Sequence, residues 1–236
     1  MNKKDYKFGL SLLIATLIMP CVMEAQDKLR VSVGADVVSK YVWRGVDQEQ
    51  GAAVQPSLGF SYKGFSLSAW GSTPISDLDA KEFDMILGYE IKGFGVSLTD
   101  YYWNADGTNK YGMWGRSHLL EVALRYDFGE SFPLTLSWAT MVAGADKKVA
   151  GGGEEKQNYS SYISASYDFN IGGVRMNASV GAIPFKSYIY GFEKGYYGLT
   201  DVSLKATKEI KRIPLFVQVI AAPKADKAYI LFGVTF

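Results

Sequence analysis

EFDMILGYEIKGFGVSL, residues 82–98, decides the fold. Phe83, Met85, Leu87, Tyr89 and Ile91 alternate with Glu82, Asp84, Ile86, Gly88 and Glu90. That repeat of two puts the first set on one face of an extended chain and the charges on the other, which a helix cannot do. Lys92-Gly93 interrupts the pattern and Phe94 restarts it. Strand, tight turn and strand make a β-hairpin. FSYKGFSLSAW, residues 60–70, repeats the arrangement with Lys63-Gly64 at its tip, as hairpin geometry does without any duplication.

Working outward, the same alternation recurs along the chain. Leu29, Val31, Val33, Ala35 and Val37 stand on one face, as do Leu120, Val122, Leu124, Tyr126 and Phe128, and Val174, Met176, Ala178, Val180 and Ala182. Strands are expected to start near 29, 53, 65, 82, 94, 117, 134, 159, 174, 196, 215 and 227. Each runs for roughly ten residues, the length a tilted strand needs to cross the hydrocarbon of a bilayer. Short connections are expected at Lys63-Gly64, Lys92-Gly93, Gly129 to Pro133, Asn170 to Gly173 and Thr207 to Pro214. Longer ones fall near 45–52, 72–81, 104–116, 144–158 and 185–195, with a brief one at 223–226. An even strand count, with short turns on one side and long loops on the other, predicts an all-β fold. It is a transmembrane antiparallel up-and-down β-barrel of about twelve strands. In lipid a sheet must close on itself to satisfy its backbone. Tyr62, Tyr89, Tyr126 and Tyr167 flank the short turns and are expected in an aromatic girdle at one membrane interface.

The ends of the chain agree. Lys3, Lys4 and Lys7 precede an apolar run from Phe8 to Met19, Pro20 breaks it, and Ala25 offers a cleavage position. Residues 1–25 therefore read as a secretory signal peptide and residues 26–236 as one barrel domain. Cys21, the single cysteine, falls within that signal, so the mature domain is expected to have no disulfide or thiolate site. The last residues, AYILFGVTF, alternate strictly and stop on Phe236. That ending resembles the signal which bacterial outer-membrane barrels present to their assembly machinery. The expected location is the outer membrane, with its lipid and the barrel assembly machinery as partners.

A net charge of +1 gives no reason to expect nucleic acid. Catalytic, cofactor and metal residues are not expected. His118 is the only histidine, and neighbouring Ser117 points to the opposite face of a strand, so the two cannot form a nucleophile pair locally. Asp77, Asp79, Glu82 and Asp84 read as a solvated acidic loop junction. Charges on a lipid face are costly, so Lys40, Arg44, Asp84, Glu121, Arg125 and Arg175 are expected to line the lumen. Tyr41 and Trp43 share the parity of the preceding valines and are expected in the lipid-facing upper girdle.

One stretch also carries a family resemblance. SKYVWRGVDQ, residues 39–48, is preceded by VSVGADVV and followed by AAVQPSLGFSY. It is similar to the N-terminal signature of the TorF family of porins, with matches at Ser39, Tyr41, Trp43, Arg44, Gly45, Val46, Gln48 and Pro56. EFDMILGYE (82–90) and GVSLTDYYW (95–103) loosely resemble that family's next hairpin. The likeness covers the first half of the chain. It implies an outer-membrane porin, supplies no catalytic residues and specifies no permeant. The resulting expectation is a porin-like channel for passive diffusion of small hydrophilic solutes. A closed structural or ligand-binding barrel is the alternative, and a barrel hydrolase a more distant one. Nothing in the sequence sets an oligomeric state.

Overall fold

The computed structural model describes residues 28–48, 51–76, 81–104, 111–112, 114–149, 153–190 and 195–236. The expected signal peptide and the acidic pair Asp77 and Asp79 lie outside the described residues. Period-two alternation becomes twelve strands closed into one antiparallel barrel. They are β1 (Arg30–Val38), β2 (Ala53–Tyr62), β3 (Phe65–Pro74), β4 (Lys81–Ile91), β5 (Phe94–Asn104) and β6 (His118–Asp127). The second half continues with β7 (Leu134–Gly144), β8 (Ser161–Ile171), β9 (Val174–Ser187), β10 (Tyr196–Ile210), β11 (Ile213–Ala222) and β12 (Lys227–Thr235). Every strand pairs with its neighbours in sequence, and β1 meets β12 with Asp36 opposite Thr235. Phe236 and Ala35 exchange two further backbone bonds at that seam.

Four connections on one rim are two-residue turns in which both residues have positive φ. These are Lys63-Gly64 (48°, 85°), Lys92-Gly93 (51°, 80°), Gly172-Gly173 (55°, 73°) and Lys211-Arg212 (51°, 70°). Such mirror-image turns match the twist of the strands they join. The connection expected over Thr207 to Pro214 is thus much tighter, because β10 runs on to Ile210.

Exposure divides the two faces. Leu29, Val31, Val33, Leu58, Phe60 and Leu67 point outward and are exposed, as do Ile230 and Phe232 on the closing strand, where Tyr229 and Leu231 are buried inside. The wall is therefore apolar outside, the inverse of a water-soluble sandwich. Inside, size is graded along the strands. Toward the tight-turn rim the inward positions are mostly small: Ser32 and Gly34, Ser57 and Gly59, Ser66 and Ser68, Gly95 and Ser97. Toward the long-loop rim they become Trp70, Tyr101, Met141, Tyr162 and Ile183. The lumen tapers from a wide mouth to a packed end.

Near the tight turns the outward Tyr62, Tyr89, Tyr126 and Tyr167 join phenylalanines in a band. Phe65 and Tyr89 have ring centroids 4.6 Å apart, and contacts run from Tyr126 through Phe128 and Phe132 to Tyr167 at 4.8, 5.8 and 6.0 Å.

Candidate functional site

The packed end is made by chain that leaves the wall and turns inward. β1 stops at Val38, and after Ser39 the chain forms a small hairpin in which Val42 pairs with Asp47 and Trp43 with Val46. Its tip is Arg44-Gly45, with φ of 50° and 79°, another mirror-image turn. Lys40 closes the base through Asp47 at 2.6 Å.

Tyr41 and Trp43 are accordingly not in a lipid-facing girdle. Their parity would place them there only if β1 continued, and it does not. Tyr41 packs on inward Trp70 at 5.6 Å, while Trp43 stacks on Tyr190 at 5.4 Å and meets Tyr101 and Trp103 edge-on. Burial, with Glu82 and Asp84 nearby, pushes the Tyr41 hydroxyl well above its ordinary pKa.

Arg44 fastens the hairpin to the opposite wall. Its guanidinium donates to both carboxylate oxygens of Glu121 at 2.6 and 2.8 Å and to the Tyr190 hydroxyl at 3.1 Å. It lies 4.6 Å from the Trp43 ring and 4.5 Å from that of Tyr162. Tyr101 donates to Glu121 at 3.0 Å, and Tyr162 donates to Asp201 at 3.1 Å. Burial opposes the charge on Arg44, but Glu121 beside it holds its pKa well above the usual value. Burial pushes Tyr190 up to about 12. A bidentate, desolvated Arg–carboxylate pair of this kind is directional, and removing one partner strands the other.

Gly45 is required at the tip. A Cβ there would lie 2.6 Å from the Thr200 carbonyl oxygen, at a backbone angle side chains resist. Gly45→Ala is expected to weaken docking by about 1–2 kcal/mol from the left-handed backbone alone. Tryptic cleavage after Arg44 should then rise by roughly 5–30-fold, since cleavage follows the open population. Unchanged cleavage would show that the tip is not held against β10.

The remaining charged residues expected in the lumen occupy inward positions. Asp84 and Glu82 share the inner face of β4 and are buried, which corrects their reading as a solvated loop. Their strand begins before them, at Lys81. Arg125 pairs with Glu90 across the inner wall at 2.6 Å. Arg175 stands on the inner face of β9 beside the tight-turn rim, exposed within the wide mouth. Tyr101, Tyr162 and Tyr190, with Asp201 on β10, complete the hairpin's seat, and the three tyrosines were not singled out from sequence. Tyr190 lies 146 residues from Arg44, and no local pattern signals such a contact.

His118 is elsewhere, on the outward face at the long-loop rim. Its Nδ1 meets Asp100 Oδ1 at 2.8 Å and its Nε2 the Tyr111 carbonyl at 2.6 Å. Trp114 stacks on the ring at 4.2 Å. Both ring nitrogens are engaged, so neither is available to a serine hydroxyl, and the group serves to pin a loop to the wall.

No family model matches the chain, and no curated protein does. Among solved structures it is similar to the KdgM porin, with TM-score 0.52 and 8% identity over 86% of this chain and 97% of that one. It also matches the NanC porin, with TM-score 0.49 and 9% identity over 86% and 98% of the two chains. The likeness to the KdgM porin is one of fold, a closed antiparallel barrel spanned almost end to end.

Proposed function

We propose that this protein is an outer-membrane channel through which small hydrophilic solutes diffuse passively, with the Tyr41–Gln48 hairpin as its constriction. The observation that carries the reading is the tapered lumen. Serine and glycine leave the tight-turn half wide and polar, and one inward hairpin narrows the other half. Meanwhile the outer wall offers leucine, valine and phenylalanine to lipid and an aromatic band to an interface. Placement with the tight turns toward the periplasm and the long loops outside follows the habit of such barrels. The similarity of residues 39–48 to the TorF signature supports the same reading and gives that signature a physical role, as the hairpin that folds into the lumen. Signal-peptide export through residues 1–25 and assembly through Phe236 belong to this proposal. Transport needs only a path and a gradient, and fixed charges at the constriction bias which solutes pass.

Reconstitution of the refolded barrel into planar bilayers tests this. Discrete conductance steps are expected, and a correctly folded but silent barrel would refute the channel. A second reading, a closed ligand-binding barrel, draws on the Trp43–Tyr190 stack and the Arg44–Glu121 pair, which fill the long-loop end. Silence together with saturable ligand binding would select it.

A further inference from the structure

We propose that the cavity beneath the hairpin is a binding site for a small organic ammonium ion, with Asp84 as its counter-charge and Tyr41, Trp70 and Tyr101 as its aromatic wall. The cavity has a volume of about 340 Å³, and its lining includes these four residues together with the charged Asp36, Lys40, Arg44 and Lys205. That volume lies at the small end of ligand sites.

The charges around it sort into satisfied and unsatisfied ones. Arg44 is held by Glu121, and Lys40 by Asp47. Lys205 lies 3.9 Å over the Phe216 ring and is attracted by Asp36, which also lines the cavity. Asp84 differs: it is 5% exposed, and its Oδ1 is buried with no hydrogen-bond partner. Glu82, two residues away on the same inner face, stands beside it without lining the cavity. A carboxyl without a partner in a desolvated wall takes either a proton or a positive charge from outside the chain, and a choline titration separates the two.

The surrounding rings decide what kind of cation. Tyr41 and Trp70 pack at 5.6 Å, and Trp43 and Tyr101 at 5.8 Å. Aromatic faces around a carboxylate receive an alkylated ammonium through cation–π attraction and apolar contact together. A bare metal ion would want several ligands converging, and among the described residues no three His, Cys, Asp or Glu side chains do so. The inference rests on the lumen admitting solutes from the wide mouth, and it does not require through-conduction.

The test is intrinsic tryptophan fluorescence of the refolded full barrel, titrated with choline, with 3,3-dimethylbutanol as its uncharged isostere, and with potassium chloride at matched ionic strength. Saturable quenching by choline is expected, at least about tenfold tighter than by the isostere (about 1.4 kcal/mol), because a desolvated ammonium is attracted by both the aromatic faces and the carboxylate. Asp84→Asn should weaken choline about tenfold while leaving the isostere unchanged, and Trp70→Leu should weaken it severalfold. The second variant keeps the site open to refutation should Asp84→Asn not fold. Equal binding of choline and isostere, or choline affinity unchanged by the folded variants, overturns the site. Conductance recorded on the same preparations separates the two readings. Choline binding in a silent barrel keeps the site and discards the channel, whereas conductance steps without choline binding do the reverse.

Discussion

Arg44→Ala is expected to open the narrow end of the barrel, raising single-channel conductance about twofold or more. The hairpin's own ladder has only two paired positions, Val42 with Asp47 and Trp43 with Val46, so it cannot stay docked on backbone bonds. Beside the packing of Tyr41 and Trp43 on the wall, what fastens it is the guanidinium, with two bonds to Glu121, one to Tyr190 and two aromatic neighbours. Truncation leaves Glu121, 2% exposed, with Tyr101 as its remaining partner. Stranding one member of a buried pair costs about 3–5 kcal/mol. The cheapest relief is for the hairpin to leave and water to enter, because the wall strands hydrogen-bond to each other and not through the hairpin. Opening also exposes a carboxylate, so current should shift toward cations. Lysine at this position keeps the charge but loses the two-pronged bond and the stacking, and should fall between. In Arg44→Ala/Glu121→Ala the stranded charge is gone, so the barrel should regain stability and stay open. Wild-type conductance in the single variant would mean that the hairpin does not limit flow.

The wall was legible in the sequence and its contents were not, for one physical reason. In a strand, side-chain direction follows from parity alone, so Phe83 to Ile91 could be assigned to a face before any partner was known. Turns with Gly at the second position, such as Lys63-Gly64, were equally clear because glycine marks a positive φ. Lys211-Arg212 adopts the same geometry without a glycine, so its hairpin was expected to be longer. At residues 39–48 the rule failed because parity holds only while the strand does. Ser39 makes the last backbone bond to β12, through the Phe232 carbonyl, and beyond it the phase is lost. A signal was present: Arg44-Gly45 between Trp43 and Val46 reads as a tight turn flanked by apolar residues. What no local reading supplies is the seat. Glu121 lies 77 residues from Arg44, and the ring of tyrosines around it comes from three separate stretches of chain.

Placing one arginine on either side of the same strand tests which solvent each face meets. Leu58 points outward at 41% exposure, opposite Val33 on β1 and Ala69 on β3. Ser57 points inward and is also exposed, opposite Gly34 and Trp70. Both lie midway along β2, so backbone pairing and strand propensity are nearly matched between them. If the outer face meets hydrocarbon, Leu58→Arg loses apolar burial and drives a guanidinium into lipid, at about 2–4 kcal/mol near the midplane. Ser57→Arg extends a charge from an exposed inward position into the polar lumen and should cost under about 0.5 kcal/mol, as surface changes do. Denaturant unfolding of the two variants in lipid vesicles, followed by tryptophan fluorescence, reads the difference directly. The same chain in water would show the opposite order, since an exposed leucine replaced by arginine sheds apolar surface. A smaller loss for Leu58→Arg than for Ser57→Arg in vesicles would therefore contradict the membrane placement itself, independently of whether the barrel conducts.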